Sequence, residues 1–350
     1  MELIVGKVLA IFLLMAAGFG VGRLKVLPEG SNATLNVLLI KVVTPCMILS
    51  SITSKELTDD TLSMTLQTFA GSVVFFAIAG VLGYFFAKHL LRVSPSSNIG
   101  VYTFAFASIN TGFMGFPVTL ALFGQDIFYL MVMQNVILTV YLYSAGPLML
   151  RLGCEDGEVL PAGAADTVGA VETAGTSDTA NAAKMPATAG SGSALKSFFK
   201  SFWNPNAVSS VISLVMLFAG LHLPKLIFEP VQTLGDATIP LSMLLVGIQL
   251  SESNVAELIK NGKILAFSLG KMLLLPVLTF FAVNWLPLAV SVKVCLIFAA
   301  VFPVAVVVAP VTAMENKNSL AAAELIAITT LLSVGTIPLF ATLLTQFYLS

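Results

Sequence analysis

The chain has 350 residues, 57% of them hydrophobic and 10% charged, with a formal net charge of −1. A soluble domain carries roughly 25% charged residues, so water is not the main solvent for this surface. No basic tract offers a nucleic-acid interface, and Cys46, Cys154 and Cys295 are too few and too scattered for a disulfide framework or a metal motif.

No Lys, Arg, Asp or Glu occurs in 8–22, 61–87 or 325–350. Runs of about 20 apolar residues cross a ~30 Å hydrocarbon core as helices. The fold class is therefore an all-α polytopic membrane protein. Ten spans are predicted, at 4–22, 32–52, 63–87, 98–123, 127–150, 207–222, 230–250, 263–286, 291–314 and 319–348. The first is read as a membrane helix rather than a leader, because Glu2 offsets Lys7 and no clearly positive region precedes it. Span two holds Lys41 and the run TPCMILSSI, with Pro45, Ser50 and Ser51. Span four is interrupted by NTGFMGFP, Asn110 to Pro117, whose glycines and proline are poor choices for an unbroken helix. Gln134 and Asn135 in span five and Ser242 in span seven read as groups bonded to backbone or between helices.

Between spans five and six lies 151–205. Its middle is Ala, Gly, Thr and Ser with few large side chains, a composition that cannot bury enough surface to order itself. Its end, ALKSFFKSFWNPN, reads as an interfacial helix. The chain thus divides into a first five-helix repeat at 1–150, a cytoplasmic loop at 151–205 and a second repeat at 206–350. An odd number of spans per half places the halves in opposite orientations, as in many transporters. FPVT at Phe116–Thr119 and APVT at Ala309–Thr312 fall in matching spans, as do Pro45 and Pro240. One side of the membrane collects Arg23, Lys25, Lys88, Arg92, Arg151, Lys196, Lys200, Lys260, Lys263 and Lys317; the other has Lys7, Lys55, Lys225 and Lys293. The first side is cytoplasmic by the positive-inside rule, which puts both termini outside.

Spans four and nine run in opposite directions, and both are broken near mid-membrane, span nine at Pro303 and Pro310. Non-helical backbone at that depth is tolerated only beside protein or a watery cavity. A half-helix starting there presents unpaired N–H groups and a positive dipole end, which favour anions. Pro117 suits its first turn. The candidate substrate residues are Asn110, Thr111, Gly112, Gly115 and Pro117 in span four and Pro303 and Val304 in span nine, with Ser50 and Ser51 behind Pro45. Lys41 and Lys271 lie eight or nine residues into their spans, about 12–14 Å deep. A cation there attracts a carboxylate, caps a structural partner or snorkels. Glu324 in span ten is the candidate for a coupling proton, or else a rim salt bridge. No phosphate loop or metal-ligand cluster is found, and His89 and His222 fall at span ends. No cofactor and no enzymatic activity are expected.

At INTGFMGFP, LNVLLIKVVTPCMILSSI, NPN at 204–206, PLSMLLVG, KMLLLP and Pro303, the sequence resembles the auxin efflux carrier family, including its bacterial members. The resemblance implies two inverted five-helix repeats, a panel-like scaffold domain, an elevator-type mobile domain, and crossing broken helices four and nine. It gives Asn110, Pro117 and Pro303 the crossover roles. This chain departs from plant members in having Ile109 before Asn110, and from many bacterial members in lacking an asparagine after Pro303, where Val304 to Val308 stand. The expected activity is alternating-access transport of small organic anions, such as malonate or malate, across the plasma membrane (a bacterial inner membrane). Protons and a second copy of the chain are candidate partners beside the lipid bilayer. The rival readings are a sodium-coupled symporter of the bile-acid type, for which span nine supplies almost no carboxylate or amide, and a non-transporting membrane sensor.

Overall fold

The structure is a computed structural model that describes residues 2–28, 30–54, 59–153, 205–252 and 260–348. The expected loop beyond residue 153, its interfacial helix, Cys154 and Lys55 lie outside the described residues. Among the described residues every regular element is helical. The chain runs through α1 (Glu2–Arg23), α2 (Ser31–Leu38), α3 (Thr44–Thr53), α4 (Asp59–Phe85), α5 (Ile99–Ala107) and α6 (Phe116–Leu150). After the loop come α7 (Pro205–Phe218), α8 (Lys225–Asp236), α9 (Thr238–Glu252), α10 (Gly262–Leu269), α11 (Leu275–Asn284), α12 (Val290–Val301), α13 (Val308–Met314) and α14 (Ser319–Tyr348). Six stretches are long and apolar enough to cross a membrane, and 9–23, 205–218 and 290–301 are shorter apolar helices. Outward-facing Leu62, Leu66, Val73 and Val81 on α4 would be a liability in water. Hydrocarbon accepts them.

Prolines explain three of the four π turns among the described residues; the fourth, Phe86–Leu90, has no proline two residues on. Wide π turns occupy Leu39–Val43, Thr111–Gly115 and Gly270–Leu274. Each ends two residues before a proline, namely Pro45, Pro117 and Pro276. A proline ring clashes with the carbonyl four residues back and supplies no N–H to it. Widening the preceding turn relieves that clash. The span predicted at 230–250 lies within one apolar stretch, Lys225–Ser251, in which α8 and α9 are separated by the single turn residue Ala237. Pro240 lies in the first turn of α9, where a missing N–H costs nothing.

α6 folds back on itself. Gly124 has φ 79° and ψ −170°, a conformation open to glycine and to few other residues. Thr111 bonds Asn135, 24 residues on, which a straight helix would hold about 36 Å away. The limbs on either side of Gly124 correspond to the ends of the predicted spans four and five.

The helices form two groups that draw on both halves of the chain. In the first, α1 packs along α9, and α3 packs against α7 and α8. In the second, α4 packs on α5 and α6, α12 on α6, α11 and α14, and α14 on α10 and α13. α1 and α9 run parallel and touch at backbone distance. A Cβ on Gly18 would stand 2.1 Å from the Leu244 carbonyl oxygen, and one on Gly247 would stand 2.1 Å from that of Met15. Small residues permit this approach where lipid offers no hydrophobic drive between helices. Gly18→Ala should therefore cost about 1–3 kcal/mol by overpacking. Gly20→Ala, facing open space, should stay within about 0.5 kcal/mol of the parent. Thermal unfolding of the two purified variants checks the contrast.

Candidate functional site

The two broken helices meet where their backbones are broken. α5 ends at Ala107, and Ser108 is already extended, with ψ 128°. α12 ends at Val301, and Phe302 is extended, with ψ 147°. The Asn110 N–H donates to the Pro303 carbonyl at 2.9 Å. Gly115 stands against the Phe302 ring, so close that an added Cβ would lie 3.1 Å from it. Each break is also tied to the following helix. The Thr111 hydroxyl donates to Asn135 Oδ1 at 2.6 Å, and the Val304 N–H donates to Thr329 Oγ1 at 3.1 Å. Asn110 with Thr111, and Pro303 with Val304, are thereby brought together.

The new half-helix begins with an open N-terminus. Its first closed bonds run from the Gly115 N–H to the Asn110 carbonyl and from the Phe116 N–H to the Thr111 carbonyl. Helical geometry leaves the N–H groups of Thr111 to Met114 without intrahelical acceptors. The Asn110 side chain makes no capping bond. Gly112 and Phe113 are half-buried, and a Cβ on Gly112 would meet nothing nearer than Asn135 Oδ1 at 3.8 Å. Phe113 packs toward Leu39, Val43, Leu245 and Ile248. This fan of N–H groups therefore lies beside the first helix group, at the seam between the two. Pro117 follows directly, in the first turn of α6.

Lys271 is placed elsewhere. Its side chain is 0% exposed. Its ammonium donates to the carbonyls of Phe106 at 2.7 Å and Ser108 at 3.0 Å. These are orphan carbonyls at the C-terminal end of α5, and a cation there also meets the negative end of the helix dipole. Lys271 therefore holds the break from behind and does not face the N–H fan. Lys41 occupies the π turn of span two and is half-buried. Thr238 Oγ1 donates to the Val43 carbonyl in that same turn at 3.3 Å.

Ser50 and Ser51 are buried in α3. Ser50 donates to the Met47 carbonyl, and a Cβ on Gly235 of α8 would lie 3.1 Å from its hydroxyl. It belongs to the α3–α8 contact rather than to the breaks. Glu324 is half-buried, five residues into α14. Asn135 was read only as an interhelical group, yet it anchors the crossover. An amide in the middle of an apolar span was the available signal. Its neighbour Gln134 is fully buried, with neither amide atom partnered among the described residues. Ser242 donates to the Ile239 carbonyl, as expected of a helix hydroxyl.

An all-helical, multi-pass chain with two broken helices bonded at their breaks has the build of a membrane transporter. Sequence comparison agrees. The chain belongs to the membrane transport protein family, that of the auxin efflux carriers, whose profile matches residues 3–341. It is similar to an uncharacterized transporter of Methanocaldococcus jannaschii, at 24% identity over 253 residues, which is 70% of this chain and 68% of that protein. It is also similar to an uncharacterized transporter of Methanothermobacter thermautotrophicus, at 28% identity over 153 residues, 43% of this chain and 48% of that protein. These findings make it a membrane transporter, not an enzyme.

Proposed function

We propose that this transporter carries small organic anions, mono- or dicarboxylates such as malonate or malate, by alternating access across the plasma membrane. The observation that carries the reading is the open N-terminus at Thr111–Met114, held against the second break by the Asn110–Pro303 bond. Backbone N–H groups and the positive end of a helix dipole suit a carboxylate. Asn110 adds a side-chain amide, and Gly112 lets the ligand approach the backbone. Pro303 and Val304 close the far side. Glu324 is the candidate carrier of a coupling proton.

Ten spans in two inverted repeats, 1–150 and 206–350 around the 151–205 loop, underlie this mechanism. The packing supports that division, because its helix pairs fall into matching sets. The pairing of span one with seven matches that of six with two, and the pairing of span three with four matches that of eight with nine. The first helix group serves as scaffold, a second copy of the chain being its candidate neighbour, and the second group moves. The Lys and Arg bias puts both termini outside. A membrane-impermeant thiol reagent should then miss Cys154 in intact cells and reach it after permeabilisation. Cys295 is buried, and the half-buried Cys46 is replaced by alanine so that it gives no background. Labelling in intact cells would reverse the topology.

A thermal-shift screen of purified protein against organic acids, with sodium present or replaced by choline, tests the substrate class. A ligand at 100 times its dissociation constant adds about 2.7 kcal/mol of stability. Stabilisation by at least one small carboxylate without sodium is expected. A shift that appears only with sodium would favour the symporter reading.

A further inference from the structure

Lys271 is the one charged side chain among the described residues that is fully buried. No carboxylate among the described residues meets it. Its partners are the Phe106 and Ser108 carbonyls, with the Phe106 ring 6.0 Å away. Burial works against a charge there, while two carbonyl acceptors and the negative end of α5 work for it. The four helix ends at the crossover are two positive and two negative, and their partial charges cancel in pairs. The end of α12 has no lysine of its own; the Phe302 N–H turns back to the Ala299 carbonyl, and Thr329 takes the Val304 N–H. The crossover is thereby left with one positive charge beyond those pairs, the Lys271 ammonium, held on the Ser108 carbonyl two residues before Asn110.

We infer that the Lys271 ammonium is the built-in countercharge of the crossover, offset when a cargo of net charge −1 is bound, and that it sets the charge of the anion the moving helices accept. This rests on the anion reading above and narrows it. Lys271 is a positioning residue: it touches the end of α5, not the substrate. Moving an uncompensated charge through the membrane is costly. At the crossover the empty group carries that charge and a bound monoanion offsets it, with Glu324 on α14 protonated in both states and adding no charge to either. Loaded exchange should therefore be indifferent to voltage.

Two measurements test this. In the first, purified parent, Lys271→Gln and Lys271→Arg are titrated with acetate, lactate, malonate, malate and citrate near neutral pH, following thermal shift. The parent should prefer a monoanion; Lys271→Gln should lose at least tenfold in affinity together with that preference, and Lys271→Arg should keep part of both. In the second, exchange of the best-binding acid, labelled on one side, is followed in proteoliposomes with and without a 100 mV potassium diffusion potential. Parent exchange should not change. A full charge crossing that field alters a rate by up to about 50-fold, so voltage-dependent exchange by the parent overturns the inference even where Lys271→Gln fails to fold. A parent that prefers dianions, or a Lys271→Gln protein that melts earlier but binds with unchanged affinity and preference, overturns it too and leaves the anion reading standing. Binding of no acid at all removes both.

Discussion

Asn110→Ala should weaken anion binding by about 1.5–3 kcal/mol, the size of a hydrogen bond to a charged group, which is roughly tenfold to more than a hundredfold in affinity. Its melting temperature should stay at the parental value. The reasons lie in what the substitution leaves intact. The Asn110 backbone N–H still donates to the Pro303 carbonyl, and its carbonyl still accepts from the Gly115 N–H. The side chain makes no capping bond that alanine would lose, and the residue is 7% exposed. Only the donor offered to a ligand disappears. Titration calorimetry and thermal unfolding on the same preparation separate the two effects. Equal affinity would remove Asn110 from the site, and a large drop in melting temperature would make it a structural residue.

Gly115→Leu should be the most damaging single change at the crossover. An added Cβ would lie 3.1 Å from the Phe302 ring and 3.3 Å from Thr111 Cβ. Leucine adds three more carbons with nowhere to go. Phe302 is itself fixed by edge contact with Phe298, at 5.0 Å between ring centres. The two breaks must part, which strains the Asn110–Pro303 bond. Overpacking of this kind costs about 1–3 kcal/mol, and transport should fall at least tenfold. Gly112→Ala, at a site with open space, should keep the parental melting temperature. Transport by Gly115→Leu at the parental rate would show that the contact between the breaks is incidental.

Much of this was legible in the sequence because proline and glycine act locally. The breaks at NTGFMGFP and at Pro303 follow from missing donors and ring clashes, and they appear where those residues stand. That Lys271 sits well inside span eight was legible from residue counting, and its side chain is buried there. Its partners were not, because they belong to α5, 163 and 165 residues away. Ser50 was expected near the site and instead faces Gly235, again because the neighbouring helix is set by tertiary packing. The grouping of helices was hidden for a deeper reason. In lipid both the inner and the outer face of a helix are apolar, so no periodicity marks which side meets protein. Three of the π turns could have been placed from the prolines that follow them.

The most direct test of the central claim is uptake of labelled small carboxylates into proteoliposomes containing the purified parent or Asn110→Ala. Time-dependent uptake by the parent is predicted for at least one acid, inhibited by excess unlabelled acid and reduced at least tenfold in Asn110→Ala. Equal uptake of every acid by parent, variant and protein-free vesicles would contradict an anion site built on the crossed breaks.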